Sequence, residues 1–340
     1  MRKLLFLLIL GTVIWSGYWF VGSSAVRQGA ERWFADQSAR GMTAERTDLS
    51  VAGFPNRFDL TVEGLKLADP QTGTGWQAPF AQVFAMTWKP WHIIAALPPT
   101  QVVTLADQDI ALASVGMRAS LRTKPASDLP LAAVIVESGA FTATSTKGWT
   151  MGAAQAVASI NADEEIEGAG DAPNAYVIAL DIADLAPDPA TMARLTVGSG
   201  LPATVSIIRT LATATLTAPL DRRAGEARPN LAALALTETL ITWGDLSVTA
   251  SGTIAPDADG FAAGRIEISV ANWERLVPVL VASGVVKPEL SQTVQNMLGA
   301  LALDSGDPAV LIVPLVLSDG RMSLGPLPLG PAPLLTPPNG

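Results

Sequence analysis

The chain has 340 residues, of which 49% are hydrophobic and 16% charged, with a formal net charge of −9 and no cysteine. The 22 Lys and Arg residues are scattered, which argues against a nucleic-acid-binding surface built from clustered cations. Without Cys there are no disulfides, thiolate nucleophiles, Cys-ligated zinc, iron–sulfur clusters or lipid-modified N-terminal cysteine.

Arg2 and Lys3 precede an uncharged apolar run over residues 4–22, with Trp15, Tyr18 and Trp19 at its far end. At about 19 residues, the run meets the length needed to cross a bilayer, and rings of this kind favour the membrane interface. A cleaved signal peptide is the competing reading, because Ser23 and Ala25 are small enough for a cleavage site. The length of the run and its bulky aromatic end favour retention as an anchor. The short basic N-terminus places residues 1–3 in the cytoplasm and the body in the periplasm, although Arg27, Arg32 and Arg40 weaken that asymmetry.

Residues 23–41 predict a helical stalk with Val26, Ala30, Trp33, Phe34 and Gln37 on one side, stopped at Gly41. The period then changes to two. Phe58, Leu60 and Val62 alternate with Asp59, Thr61 and Glu63, which predicts a half-buried strand with its polar residues outward. Gly64 shifts the alternation, so Leu65 and Leu67 stay on the inner face only if the strand bulges there. Further strands are predicted at 79–88, 101–105, 115–122, 131–137, 141–144 and 153–160. An acidic, Gly-rich stretch over 161–173 separates a first β-rich half (42–165) from a second (174–335).

In the second half, strands are predicted at 176–182, 203–217, 232–241, 245–253, 265–270 and 309–317, with a turn over 256–260. Two short helices are expected over 272–303. One carries Leu276, Val277 and Leu280; the other carries Leu290, Val294, Met297, Leu298 and Leu301. The fold class is therefore mainly β: an N-terminal transmembrane helix, then a long antiparallel meander, as a folded sheet or half-barrel, with a C-terminal helix pair.

Chemistry-bearing motifs are sparse. His92, the single histidine, stands in Trp88-Lys89-Pro90-Trp91-His92 with no nucleophile elbow in the chain. Gly73-Thr74-Gly75-Trp76-Gln77-Ala78 matches a dinucleotide fingerprint loosely, but Pro79 interrupts any following helix, so it reads as a turn. Asp257 and Asp259 open like a calcium loop whose twelfth position is Ile268, which cannot supply the bidentate carboxylate. Asp163, Glu164, Glu165 and Glu167 read as a solvated loop. Trp33, Trp76, Trp88, Trp91, Trp149, Trp243 and Trp273 serve either core packing or an aromatic-lined groove. No catalytic residue, cofactor or metal is expected, and the chain is read as a non-enzyme.

Several stretches resemble a family of bacterial envelope proteins known as domain of unknown function 2125. They are Gly53-Phe54-Pro55 with Arg57-Phe58; Trp76 with Pro79; Trp91-His92; Trp243-Gly244 followed by Gly252 and Asp259-Gly260; Asp319-Gly320-Arg321; and Gly325-Pro326 before Gly330-Pro331-Ala332-Pro333. The resemblance implies an N-terminal membrane segment and no catalytic residues to carry over. The layout is also similar, more distantly, to AsmA-like envelope proteins, whose long meanders are proposed to form lipid-accommodating grooves. Physically, the Gly53 segment is a corner: Gly53 allows the bend and Pro55 holds Phe54 extended.

The expectation is a single-pass inner-membrane protein whose periplasmic body shelters an apolar ligand such as lipid, or assists envelope assembly. No nucleic acid is expected as a partner, and no protein partner is identifiable. A structural or interaction module with a filled core is the alternative, and an exported hydrolase built on His92 is the third.

Overall fold

The structure, a computed structural model, describes residues 1–162, 174–304, 306–325 and 327–336. The acidic stretch read over 161–173 therefore falls almost entirely outside the described residues, as does Pro326. The chain forms two compact units: Met1–Pro125 with Val134–Trp149, and Ala126–Ala133 with Thr150–Gly340. The expected class holds: a long apolar helix, antiparallel meanders and a C-terminal helix pair.

The first unit begins with α1 (Arg2–Ala39), one unbroken helix of 38 residues. It ends where Gly41, at φ +85°, lets the Met42 amide donate back to the Gln37 carbonyl. Strands β1 (Thr43–Glu45), β2 (Asp48–Ala52), β3 (Arg57–Asp69) and β4 (Thr74–Met86) follow, with β1 and β2 lying end to end along β3. Next come β5 (Lys89–Ala96), β6 (Thr100–Leu105), β7 (Gln108–Ser114), β8 (Arg118–Thr123), β9 (Leu131–Ser138, of which the part from Val134 belongs to this unit) and β10 (Phe141–Ser145). The sheet forks at β4, whose first residues pair with β6 and whose last pair with β5. The β5 branch continues to β8, and the β6 branch to β7 and β10.

Four sequence expectations change in this unit. Strand β4 starts at Thr74 rather than at residue 79. It runs through Pro79 because that residue lies between the β6-paired and β5-paired segments, where no ladder amide is needed. Strands β5 and β7 were not anticipated, since β5 is a nearly continuous apolar run opening on Lys89-Pro90. Trp33 is exposed, and the helix face that packs on the sheet is Ala30 and Phe34.

The fourth change concerns Gly64. Phe58, Val62 and Leu65 are all buried, so the apolar face does continue past the glycine. The device is not a two-against-one bulge, because Glu63 faces Phe80 and Leu65 faces Ala78 in unbroken register. Instead Gly64 adopts φ +58°, and its neighbours break step at the same level: Pro79 on one side, and the interval between β1 and β2 on the other. Leu49, Val62 and Ala81 thus line the same core as Ala44, Leu67 and Trp76 across the break. A Cβ on Gly64 would lie 2.6 Å from Thr47 Cγ2, which explains why the position is glycine.

The second unit contains β11 (Thr150–Ala153), β12 (Gln155–Ala162), β13 (Ala175–Leu185), α2 (Pro189–Leu195), β14 (Val205–Leu216), α3 (Ala224–Ala227), β15 (Leu231–Trp243), β16 (Leu246–Pro256) and β17 (Ala262–Ala271). After α4 (Leu276–Ala282) and α5 (Ser291–Asp304) come β18 (Val310–Ser318), β19 (Arg321–Leu324) and β20 (Leu327–Pro331). From β12 to β20 each strand pairs antiparallel with the next.

The helix pair covers β16–β18 through a core of Trp273, Val277, Ala302, Leu246, Val270, Leu311 and Val313. Its second stripe runs through Leu298, Leu301 and Ala302, the last wholly buried. Leu290 is 51% exposed and Val294 only half-buried, contrary to the expected stripe. The turn before α5 rotates Leu290 off the packed face.

Candidate functional site

The motif-bearing residues gather at distinct places. The largest constellation joins α1 to one end of its own sheet. Trp15, Tyr18 and Trp19 sit three and four residues apart, so they share one face of α1. Each donates one hydrogen bond to a backbone carbonyl of the body: Trp15 Nε1 to Pro55 at 3.0 Å, Tyr18 Oη to Thr87 at 2.8 Å, and Trp19 Nε1 to Arg57 at 2.7 Å. Trp19 meets the edge of Phe54 at 5.4 Å between centroids and stacks on Phe58 at 6.3 Å. Phe58 in turn lies against Gly22, where any Cβ would overlap its ring.

The corner that receives the helix is tightly tied. Gly53 has φ +97°, and its carbonyl accepts from the Asn56 and Arg57 amides. The Phe54–Pro55 peptide is cis. Thr87, almost wholly buried in the β4–β5 turn, donates its amide and hydroxyl to the Asn56 carbonyl, at 3.1 and 3.2 Å. Arg57 pairs with Asp59 at 2.7 Å.

Asp59 is consequently not on an open outer face, as the alternation implied. Its carboxylate is mostly buried beside Gly53, where a Cβ would sit 2.9 Å from Asp59 Cγ and 2.8 Å from the Arg57 carbonyl. Gly53→Ala should therefore destabilise the first unit by about 1–3 kcal/mol, from its left-handed backbone and this contact together. Urea unfolding of the detergent-solubilised full chain would measure that loss.

The same unit carries an open trough of about 600 Å³. It crosses β1, β3, β4, β6, β7 and β10 at the level of the Gly64–Pro79 break. Five strand spacings of about 4.8 Å make it roughly 24 Å along the sheet. Val102, Ala111 and Ala113 are the apolar side chains of its open face, among Gln77, Thr100, Thr142 and Thr144, and the Lys66–Glu45 ion pair at 3.8 Å stands at one end. Its volume lies within the range of about 300–1,000 Å³ usual for small-molecule sites. Pro79 lines it, whereas Trp76 lies aside, donating to Gln101 Oε1 at 2.8 Å.

The remaining motifs assemble in the second unit. Trp243 donates to the Pro202 carbonyl at 2.7 Å, and Gly244, at φ +62°, leaves room for the Pro202 ring. Gly252 and Gly264 lie in adjacent strands, and a Cβ on either would overlap a carbonyl of the other strand. The C-terminal segment straps two hairpin turns together. Ala332 N donates to the Gly320 carbonyl, Ala262 N to Pro333, and Leu335 N to Gly260. Asp257 holds the β16–β17 turn by accepting from the Asp259 and Phe261 amides. Asp319 and Gly320 both have positive φ, as does Gly325.

His92 Nε2 lies 3.1 Å from Ser120 Oγ across the β5–β8 pair, and no carboxylate bonds the imidazole among the described residues. The described residues include no cluster of three or more potential metal ligands. The indoles do not line one groove. Trp76, Trp149, Trp243 and Trp273 each anchor a hydrogen bond in a different place, while Trp33 and Trp88 are exposed. Sequence reasoning missed Gly22, Asn56 and Thr87, whose roles depend on contacts across the junction. It also took Trp15, Tyr18 and Trp19 only as interfacial rings.

Helix α1 is long and apolar enough to cross a membrane, and the window that qualifies it is almost wholly unburied. No curated protein and no solved structure matches the chain. Residues 19–333 match the family model described as "Uncharacterized protein conserved in bacteria (DUF2125)". That match takes in the helix junction from Trp19 onward, the trough and the C-terminal strap as far as Pro333. The chain therefore belongs to this bacterial family, DUF2125.

Proposed function

We propose that the protein is a single-pass inner-membrane protein whose periplasmic body binds an acyl chain or comparable apolar ligand, and acts by binding rather than catalysis. The observation that carries this reading is the trough in the first unit, the unit that α1 itself builds and anchors. Its length along the sheet, roughly 24 Å, exceeds the ~15 Å half-thickness of a hydrocarbon core, so one acyl chain fits along it. Small side chains at Ala111 and Ala113 keep the floor clear. The helix-covered core of the second unit supports a different role there, as a structural or partner-binding module.

A photoactivatable fatty acid offered to the solubilised full-length protein should crosslink to peptides of β6, β7 and β10. Ala111→Trp with Ala113→Trp, both exposed positions facing the trough, should abolish that labelling while leaving the far-ultraviolet circular dichroism unchanged. Crosslinks confined to α1 would remove the trough from consideration as a ligand site.

A further inference from the structure

The way α1 docks on its sheet leaves a short reach below the body. Trp15 is already bonded to Pro55, so only the segment from Lys3 to Trp15 extends beyond the hydrogen bonds that tie the helix to the β structure. Twelve residues at about 1.5 Å each give about 18 Å. The hydrocarbon core of a bilayer is about 30 Å thick. With Lys3 at the inner interface, the outer boundary of the core lies near residue 23, well past Trp15, by about 12 Å. The helix remains uncharged over that interval, and Phe20 and Val21 are exposed in it.

The end of the sheet beside this interval is apolar and open. Phe54 is 52% exposed, Met86 42% and Trp88 50%. Lys89 follows Trp88, and Arg57 stands opposite Met86 in the β3–β4 register. Lys89, and Arg57 beside its partner Asp59, are cations of the kind that suit headgroup phosphates. Phe54 and Pro55, together with Leu7, Leu8 and Trp15, also line a hollow against the helix, which puts the corner alongside the middle of the apolar run.

A second observation points to the same neighbour. Backbone carbonyls facing lipid must be satisfied from within the protein. At this tip the carbonyls of Gly53, Pro55, Asn56, Arg57 and Thr87 all accept hydrogen bonds from groups of the same unit. Three of those bonds come from the indoles and phenol of α1. Pro55 and Pro90 bring no amide at all.

We infer that the Phe54–Pro55 corner and the Met86–Trp88 turn are inserted in the outer leaflet of the bilayer, as a second membrane contact beside α1. This rests on the reading of α1 as a membrane-spanning anchor. The first unit is then seated in the membrane surface rather than held away on a stalk. An acyl chain leaving the leaflet next to the tip meets the first unit directly.

The absence of Cys makes the test direct. Phe54→Cys, Met86→Cys and Trp88→Cys, each in the full chain, are labelled with a polarity-sensitive fluorophore. The proteins are reconstituted in vesicles of phosphatidylethanolamine and phosphatidylglycerol. Val13→Cys reports the anchor. Gln71→Cys, at the opposite end of the β3–β4 hairpin and about 40 Å away along twelve residues of strand, reports water.

Probes at 54, 86 and 88 should be quenched several-fold by nitroxide-bearing acyl chains and protected from aqueous iodide, as at 13. The probe at 71 should show the reverse. If 13 is lipid-quenched while 54, 86 and 88 are as iodide-accessible as 71, the tip is in water; the inference fails while the anchor stands. Protection of the tip from both quenchers would mean a protein cover and overturn it as well. Iodide access at 13 would remove the anchor and the inference with it. Met86 and Trp88 are surface positions, so their variants keep the comparison alive if the Phe54 variant misfolds.

Discussion

Replacing Phe58 with Ala should destabilise the first unit by about 3–5 kcal/mol, the usual cost of deleting a buried ring. The ring is 7% exposed, stacks on Trp19 and rests against Gly22. Its loss opens a cavity where helix and sheet meet, and neither the helix nor the β3 ladder can collapse into it freely. Phe58→Leu, which retains most of the volume, should lose much less. Glu63→Ala, at an exposed position of the same strand, should stay within about 0.5 kcal/mol. Urea unfolding of the full-length protein in detergent, followed by tryptophan fluorescence, gives the ranking. A Phe58→Ala variant as stable as Glu63→Ala would show that α1 does not dock on the sheet. Limited proteolysis adds a separate reading, because loss of the junction should expose residues near Arg27 to trypsin before global unfolding.

Trp273→Ala should cost the second unit a similar amount, about 3–5 kcal/mol. Trp273 is 3% exposed and donates Nε1 to the Pro308 carbonyl at 3.0 Å. Its six-membered ring lies 3.8 Å from the space a Cβ on Gly299 would occupy. One side chain thus joins the turn before α4, helix α5 and the segment entering β18. The substitution removes the ring and leaves the Pro308 carbonyl without its donor, adding about 1 kcal/mol or more to the cavity term. Leu290→Ala should be close to neutral by comparison, and Val294→Asp should cost less than Trp273→Ala, since Val294 is only half-buried. Melting temperatures of the three variants test the order. A Val294→Asp variant more damaging than Trp273→Ala would restore the stripe expected from helical periodicity.

Much of the β architecture was legible in local pattern. Phe58, Leu60 and Val62 repeat at the strand period, and Pro256-Asp257-Ala258-Asp259-Gly260 supplies turn chemistry that β16 and β17 use. Strand β5 was illegible because its residues do not alternate: Ile93, Ile94, Ala95 and Ala96 are apolar in succession, with Ile94 left 38% exposed. The trough was illegible for another reason. Its lining comes from six strands spread between Glu45 and Thr144, and no spacing in the chain announces that Gln77, Val102 and Ala113 share a surface.

The sequence by itself determined the uncharged run of α1, the dominance of short alternating strands and the position of the C-terminal helices. These follow from side-chain periodicity and hydropathy, which are properties of neighbouring residues. Tertiary structure decided the rest. It set Trp15, Tyr18 and Trp19 to bond the Pro55, Thr87 and Arg57 carbonyls, although their spacing alone fits free interfacial rings equally well. It turned Gly64 into part of a break shared with Pro79 and the β1–β2 interval, keeping Leu49, Leu65 and Leu67 on one face. It also took Leu290 out of the helix stripe and put Ala302 at its centre. A donor's partner, a strand's neighbour and a helix's buried face are all selected by which distant groups must be covered or hydrogen-bonded together, and that choice is made only when the chain is closed on itself.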